Sequence, residues 1–242
     1  GNALYSSHVL ILEAESQRKK IECADVNAIP KAVFFDTELA SIADKNDFSI
    51  SAASLLISSI ESLICKSSWE LTDFFALKAI KLISENALLA SKGNSKAIEN
   101  MLYAQYYTGI AFTNGGAAFA TAASLSIEAA LGISFSKAIV PIFKETMEFN
   151  AASTGQKYKD IAVNMGAKVS SSAYPESFRK TAITSVEKFF KELSVAKKIE
   201  EVKISKEDVS FIQENILKNK YTELNPKTVT KKKIADVLKL IS

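Results

Sequence analysis

Histidine is almost missing from this sequence of 242 residues, which carries one, His8. A catalytic iron or zinc centre built on imidazole needs two or three such ligands, so that class of site is closed to the chain. The same shortage removes the base from any Ser-His-Asp or Cys-His pair. His8 itself stands beside a β-like run, where a surface or strand-end position is expected. Cysteine is nearly as scarce. Cys23 and Cys65 lie far apart with no C-x-x-C spacing, which excludes a disulfide framework and a zinc knuckle and points to a reducing, cytoplasmic setting. Among the eight glycines no G-x-G-x-x-G turn follows a strand, so no cradle for a dinucleotide phosphate is visible. Clustered positive charge is lacking too. The net charge is +3 and the one basic run, Lys231-Lys232-Lys233, is expected as the solvated first turn of a helix; no nucleic-acid partner is expected. No basic segment followed by a long apolar run opens the sequence, so no secretory leader is expected. Between Glu99 and Glu128 there is no charge at all. Polar groups such as Asn100, Gln105, Asn114 and Thr121 interrupt that stretch, which suits a helix wrapped by other helices better than a membrane span.

What is present is enough apolar material for a core: 48% of residues are hydrophobic and 24% charged. The first 36 residues are rich in β-formers. Val9-Leu10-Ile11-Leu12 can pair with Arg18–Cys23 across a polar turn at Glu15-Ser16-Gln17, and Ala32-Val33-Phe34-Phe35 forms a further apolar run beyond Pro30. After Asp36 the period becomes helical. Leu71, Phe74, Phe75, Ala79 and Leu82 share one face, as do Val186, Phe189, Phe190 and Leu193. Ser205 with Asp208 reads as a capping box, Pro175 suits a first turn, and Gly93-Asn94, Gly132 and Asn225-Pro226 punctuate helix ends. The pattern predicts a mainly α fold of about eight helices, roughly 49–65, 70–92, 95–131, 136–150, 154–166, 175–196, 206–219 and 229–241, behind a small N-terminal β remnant. Gly115-Gly116 falls inside the third, where close packing of helices is the expected use. The one compositional shift divides the chain into 1–40 and 41–242.

Several segments, in order, resemble the helical domain of iron-containing (group III) alcohol dehydrogenases. Asp36-Thr37-Glu38-Leu39 resembles that family's "DPELT" entry, Ser58–Leu63 its "HAIEAY" helix, and Thr108–Asn114 its "AGMAFNN" helix. Phe149-Asn150 resembles the "fN" that ends its next helix, and Asn225-Pro226-Lys227 with Thr230 its "tNPr…T" tail. Glycerol dehydrogenases and dehydroquinate synthases share the architecture more distantly. The resemblance implies a helical domain that, with an α/β nicotinamide-binding domain, flanks a cleft and holds Fe²⁺ or Zn²⁺ to polarise an alcohol or carbonyl oxygen. It implies that residues 1–40 are a remnant of the cofactor-binding domain.

This sequence departs from the family where the metal would sit. The paired ligands of "D-x-x-x-H" fall on Ser54 and Ser58, the third ligand falls on Thr121 without gaps, and the histidine of "PHG" falls on Phe135. A slip within 121–136 would change the last two assignments but would not supply histidine. Glu61 matches a family glutamate that is not a ligand, and a packing or hydrogen-bonding role is expected of it. The expectation is a domain with a degenerate metal site, with no metal, no cofactor and no catalytic residue assigned. It would act as a binding or assembly module whose partner is a second copy or a separate protein. The alternative is the C-terminal part of an NAD(P)-dependent oxidoreductase whose cofactor domain is missing or supplied by another chain, with Lys137 or a hydroxyl near Thr121 as the electrophile.

Overall fold

The computed structural model describes residues 9–14, 19–42, 44–195 and 204–241. His8 and the turn at 15–17 therefore lie outside the described residues. Two strands, β1 (Val9–Ala14) and β2 (Lys19–Ala24), pair antiparallel with Leu10 opposite Cys23 and Leu12 opposite Ile21. The expected hairpin is present. The third apolar run is not a strand: residues 32–36 are irregular, Phe34 is 91% exposed, and Phe35 sets its ring edge-on to Tyr103 and Tyr106. Aromatic packing against Tyr103 and Tyr106 overrides the β propensity of that run.

Eleven α-helices follow among the described residues: α1 (Thr37–Ser41), α2 (Lys45–Ile64), α3 (Glu70–Ala90), α4 (Ser95–Gly115), α5 (Phe119–Leu131), α6 (Phe135–Asn150), α7 (Lys157–Asn164), α8 (Pro175–Glu192), α9 (Lys206–Lys218), α10 (Lys220–Glu223) and α11 (Lys231–Leu238). Most starts follow from local chemistry. Asp36, Asn94, Ser205, Asn219 and Thr230 each cap a first turn with a side-chain oxygen. Ser205 and Asp208 form the reciprocal capping box, and Pro175 occupies the first turn of α8. Gly132 ends α5 in the left-handed conformation with φ 69°.

The expectation of one helix over 95–131 is wrong. The chain breaks after Gly115, and α4 and α5 meet at 98°. Gly116 adopts φ 95°, and a Cβ there would lie 2.9 Å from Leu224 Cδ1. Only Gly115 serves close helix packing, its Cα facing Thr72 on α3. The short helices α1 and α10 were not expected. A helix of one turn carries too few residues for a period to show.

Most of the core is one cluster. Leu56, Ile57, Ile60 and Leu63 of α2 pack with Ile80 and Ile83 of α3, Phe119 and Ile127 of α5, and Phe143 of α6 in one buried cluster. Burying each such side chain contributes about 1.5–3 kcal/mol. The segment Asp47–Ile64 is long and apolar enough to cross a membrane by composition, but 72% of it is buried in the domain, where a central helix puts such a surface. The basic triplet is the first turn of α11, as expected. Lys231 and Lys232 are exposed, while Lys233 pairs with Glu145 and lies over the Phe149 ring.

Candidate functional site

The α4–α5 break exposes backbone groups that a continuous helix would have paired internally. Ala118, the residue that caps α5, has no side-chain oxygen. The orphan donors are satisfied from far along the chain. Glu61 on α2 accepts from the N–H of Thr121 at 2.7 Å and of Ala120 at 2.8 Å, with a longer contact to Ala118 at 3.4 Å. The remaining N–H, of Phe119, donates to Asn225 Oδ1 at 3.1 Å. Asn225 is held in turn. Its Nδ2 donates to Asn150 Oδ1 at 2.7 Å and to the Lys227 carbonyl at 2.6 Å, while Asn150 Nδ2 returns a bond to Asn225 Oδ1. On the other side of the break, the Gly115 carbonyl accepts from Cys65 Sγ at 3.1 Å and from the Ser67 hydroxyl. The end of α2 thus closes both faces of the break.

Glu61, Asn150 and Asn225 are all buried. Burial pushes the Glu61 carboxyl above its ordinary value, and the bonds from Thr121, Ala120 and Ala118 pull it back. Its two oxygens face the positive end of α5, a favourable place for negative charge. The expected hydrogen-bonding role of Glu61 is what the geometry shows. Burial likewise raises the Cys65 thiol. Lys157 closes the C-terminal end of α2, donating to the Leu63 carbonyl at 2.6 Å and pairing with Asp73 at 3.2 Å.

The four positions assigned to metal ligands surround this centre in sequence. Ser54 and Ser58 stand one turn apart on α2, both buried. Ser58 precedes Glu61 by three residues, on the same helix face. Thr121 lies in the first turn of α5, against Glu61, and is 1% exposed. Phe135 opens α6, half-buried, packed against the cluster of Phe112, Ala117, Ala122, Leu125 and Tyr221. Two hydroxyl oxygens nearby in sequence, those of Ser62 and Ser124, are buried without a hydrogen-bond partner. Among the described residues no group of three or more His, Cys, Asp or Glu side chains could hold a metal ion. Lys137, weighed as an electrophile, is exposed on α6.

Two cavities lie elsewhere. One of about 260 Å³ runs between α6 and α8, lined by Val140, Met147, Ile183, Val186 and Phe190 under the Lys144–Glu187 ion pair. The other, of about 310 Å³, lies between α1, α2 and α4 beside Phe48, Leu55, Met101 and Gln105. The four ligand-type positions line neither. Sequence reasoning missed Asn150 and Asn225 as partners of α5. The signal available was the Asn-Pro turn, which shows a bend and not where its side chain reaches.

Comparison with known proteins places this geometry. A family model described as "Fe-containing alcohol dehydrogenase family, C-terminal" matches residues 51–241. Lactaldehyde reductase of Escherichia coli K12 is 27% identical over 227 residues, covering 94% of this chain and 59% of the relative. The NAD-dependent methanol dehydrogenase of Bacillus methanolicus is 24% identical, covering 99% of this chain and 63% of the relative. An alcohol dehydrogenase structure from Oenococcus oeni superposes with a TM-score of 0.90 at 18% identity, covering 100% of this chain and 64% of that one. At that identity the likeness concerns the fold. The chain spans about 60% of the length of these relatives.

Proposed function

This chain belongs to the Fe-containing alcohol dehydrogenase family, and we propose that it is a metal-free helical module of that family, working by binding or assembly rather than by turnover. The observation that carries this reading is the donor set. The residues at the ligand positions are Ser54, Ser58, Thr121 and Phe135. Neutral hydroxyls and a phenyl ring are poor ligands for divalent iron or zinc, which take imidazole, thiolate or carboxylate. The residues present therefore do not fit the family's metal. On this reading residues 1–40 are a remnant of a cofactor-binding sheet, 41–242 form the module, and the partner is a second copy or a separate protein. Free Cys23 and Cys65 accord with a reducing, cytoplasmic setting.

A second reading is favoured by length. This chain leaves about two-fifths of these two relatives unspanned, and one of them is named as NAD-dependent. The chain would then be the C-terminal part of an NAD(P)-dependent oxidoreductase whose cofactor domain is carried elsewhere.

The purified protein should contain no stoichiometric iron or zinc by elemental analysis. It should not oxidise methanol with NAD or NADP, nor reduce lactaldehyde with NADH or NADPH. Turnover abolished by a chelator would overturn the module reading. Turnover that appears only when a cofactor-binding domain is supplied, and that survives the chelator, would favour the second reading.

A further inference from the structure

The seam between α2 and α5 holds more unspent hydrogen-bonding capacity than a packed core normally tolerates. Of the buried hydroxyls in this region, several are committed: Ser59 donates to the Leu55 carbonyl at 2.9 Å and meets Thr108 at 2.8 Å, and Ser126 donates to the Ala122 carbonyl at 2.8 Å. Ser62 and Ser124 are not, although both are 0% exposed, and the Thr121 hydroxyl has only the Glu61 carboxyl beside it. Ser54, Ser58 and Ser62 recur every four residues on α2, and Thr121 and Ser124 three residues apart on α5, so each set shares a helix face. The hydrogen bond from the Thr121 N–H to Glu61 brings these two stretches together.

We propose that the α2–α5 seam is a neutral, hydroxyl-lined site that takes ordered water and is closed to divalent cations. A hydroxyl both donates and accepts, so a guest that does the same satisfies each in turn. Buried, unpaired hydroxyls are where internal water is found. A dication is excluded by more than the missing imidazoles. Glu61 is the one carboxylate on the α2 side of the seam, and both its oxygens already accept N–H groups of α5. To ligate a metal it would have to release the first turn of α5, which has no local cap to replace it. Phe135 adds ring carbon where a fourth donor would be needed. This inference rests on the metal-free reading and adds to it that the four positions still converge on one point.

The test has two arms. In the first, the wild-type chain is dialysed against Zn²⁺ and against Fe²⁺ under reducing conditions; no ion should be retained. One ion held per chain would overturn the proposal and the metal-free reading together. In the second, Ser54→Asp, Ser58→His, Thr121→His and Phe135→His are introduced together. About one Zn²⁺ per chain should bind, and the melting temperature should rise with added Zn²⁺. The pair Ser58→His with Thr121→His alone, which perturbs the fold less, should bind Zn²⁺ across the two helices more weakly. A variant that folds, by helical circular dichroism and a cooperative melt, yet binds nothing would refute convergence while leaving the metal-free reading intact. Loss of folding in both variants would also count against convergence.

Discussion

Replacing Glu61 by glutamine is the sharpest perturbation of the centre on which α5 rests. The side chain keeps its length and loses one acceptor. In the native protein one oxygen serves the Ala120 N–H at 2.8 Å and the other serves the Thr121 N–H at 2.7 Å. The amide oxygen of Glu61→Gln satisfies one of these, and the NH₂ group then confronts the other N–H, donor against donor. Losing one charge-assisted bond costs about 1.5–3 kcal/mol, and stranding a buried N–H costs about 1–3 kcal/mol more. Removing a buried charge returns part of that, since burial raises the Glu61 pKa. A net loss of about 3 kcal/mol is expected, which for a chain of this size lowers the melting temperature by roughly 6–12 °C. Urea titration followed by circular dichroism measures it. The pH dependence has a definite sign. A carboxyl raised in the folded state binds its proton more tightly there than when unfolded. Its contribution is therefore fully present below the ordinary carboxylate range and declines as pH rises through the folded-state value. The margin of wild type over Glu61→Gln should be larger near about pH 4 than near about pH 8. A variant within about 0.5 kcal/mol of wild type would refute the assignment of Glu61 as the acceptor that holds the first turn of α5, and a margin that grows with pH would refute the raised carboxyl.

Asn225→Ala should destabilise by about 2–4 kcal/mol, because Phe119 N–H and Asn150 lose their buried partner together; chemical denaturation reads it. Gly116→Ala should cost about 1–3 kcal/mol, since it combines φ 95° with a clash at Leu224, whereas Gly93→Ala, at φ 85° with nothing within 4 Å, should cost less; thermal melts of the two compare strain with and without the clash.

Much of the architecture was legible because it is written locally. Ser205, Asp208, Gly132 and Asn94 start or stop helices by bonds to neighbours a few residues away, Pro175 starts one by its fixed φ, and each does so where spacing predicted. The β1–β2 register follows from two apolar runs a turn apart. The break at Gly116 was not legible. No charge and no proline marks it, and what makes a break tolerable is supplied by Glu61, Cys65 and Asn225, none of them near in sequence. The candidate site was half legible. The lost ligands could be read directly, since one histidine cannot fill three places. That Glu61 is wholly occupied by backbone donors could not, because its partners depend on where α5 begins.

The remote capping of α5 also bears on the order in which the chain folds. Its first turn is completed only by contacts that close over 57 to 60 residues to Glu61 and 106 residues to Asn225. Loop closure of that length must precede the stabilisation it brings. Helix α5 is therefore a late arrival in the folding reaction, and substitutions at its N-terminus should speed unfolding while leaving the refolding rate almost untouched.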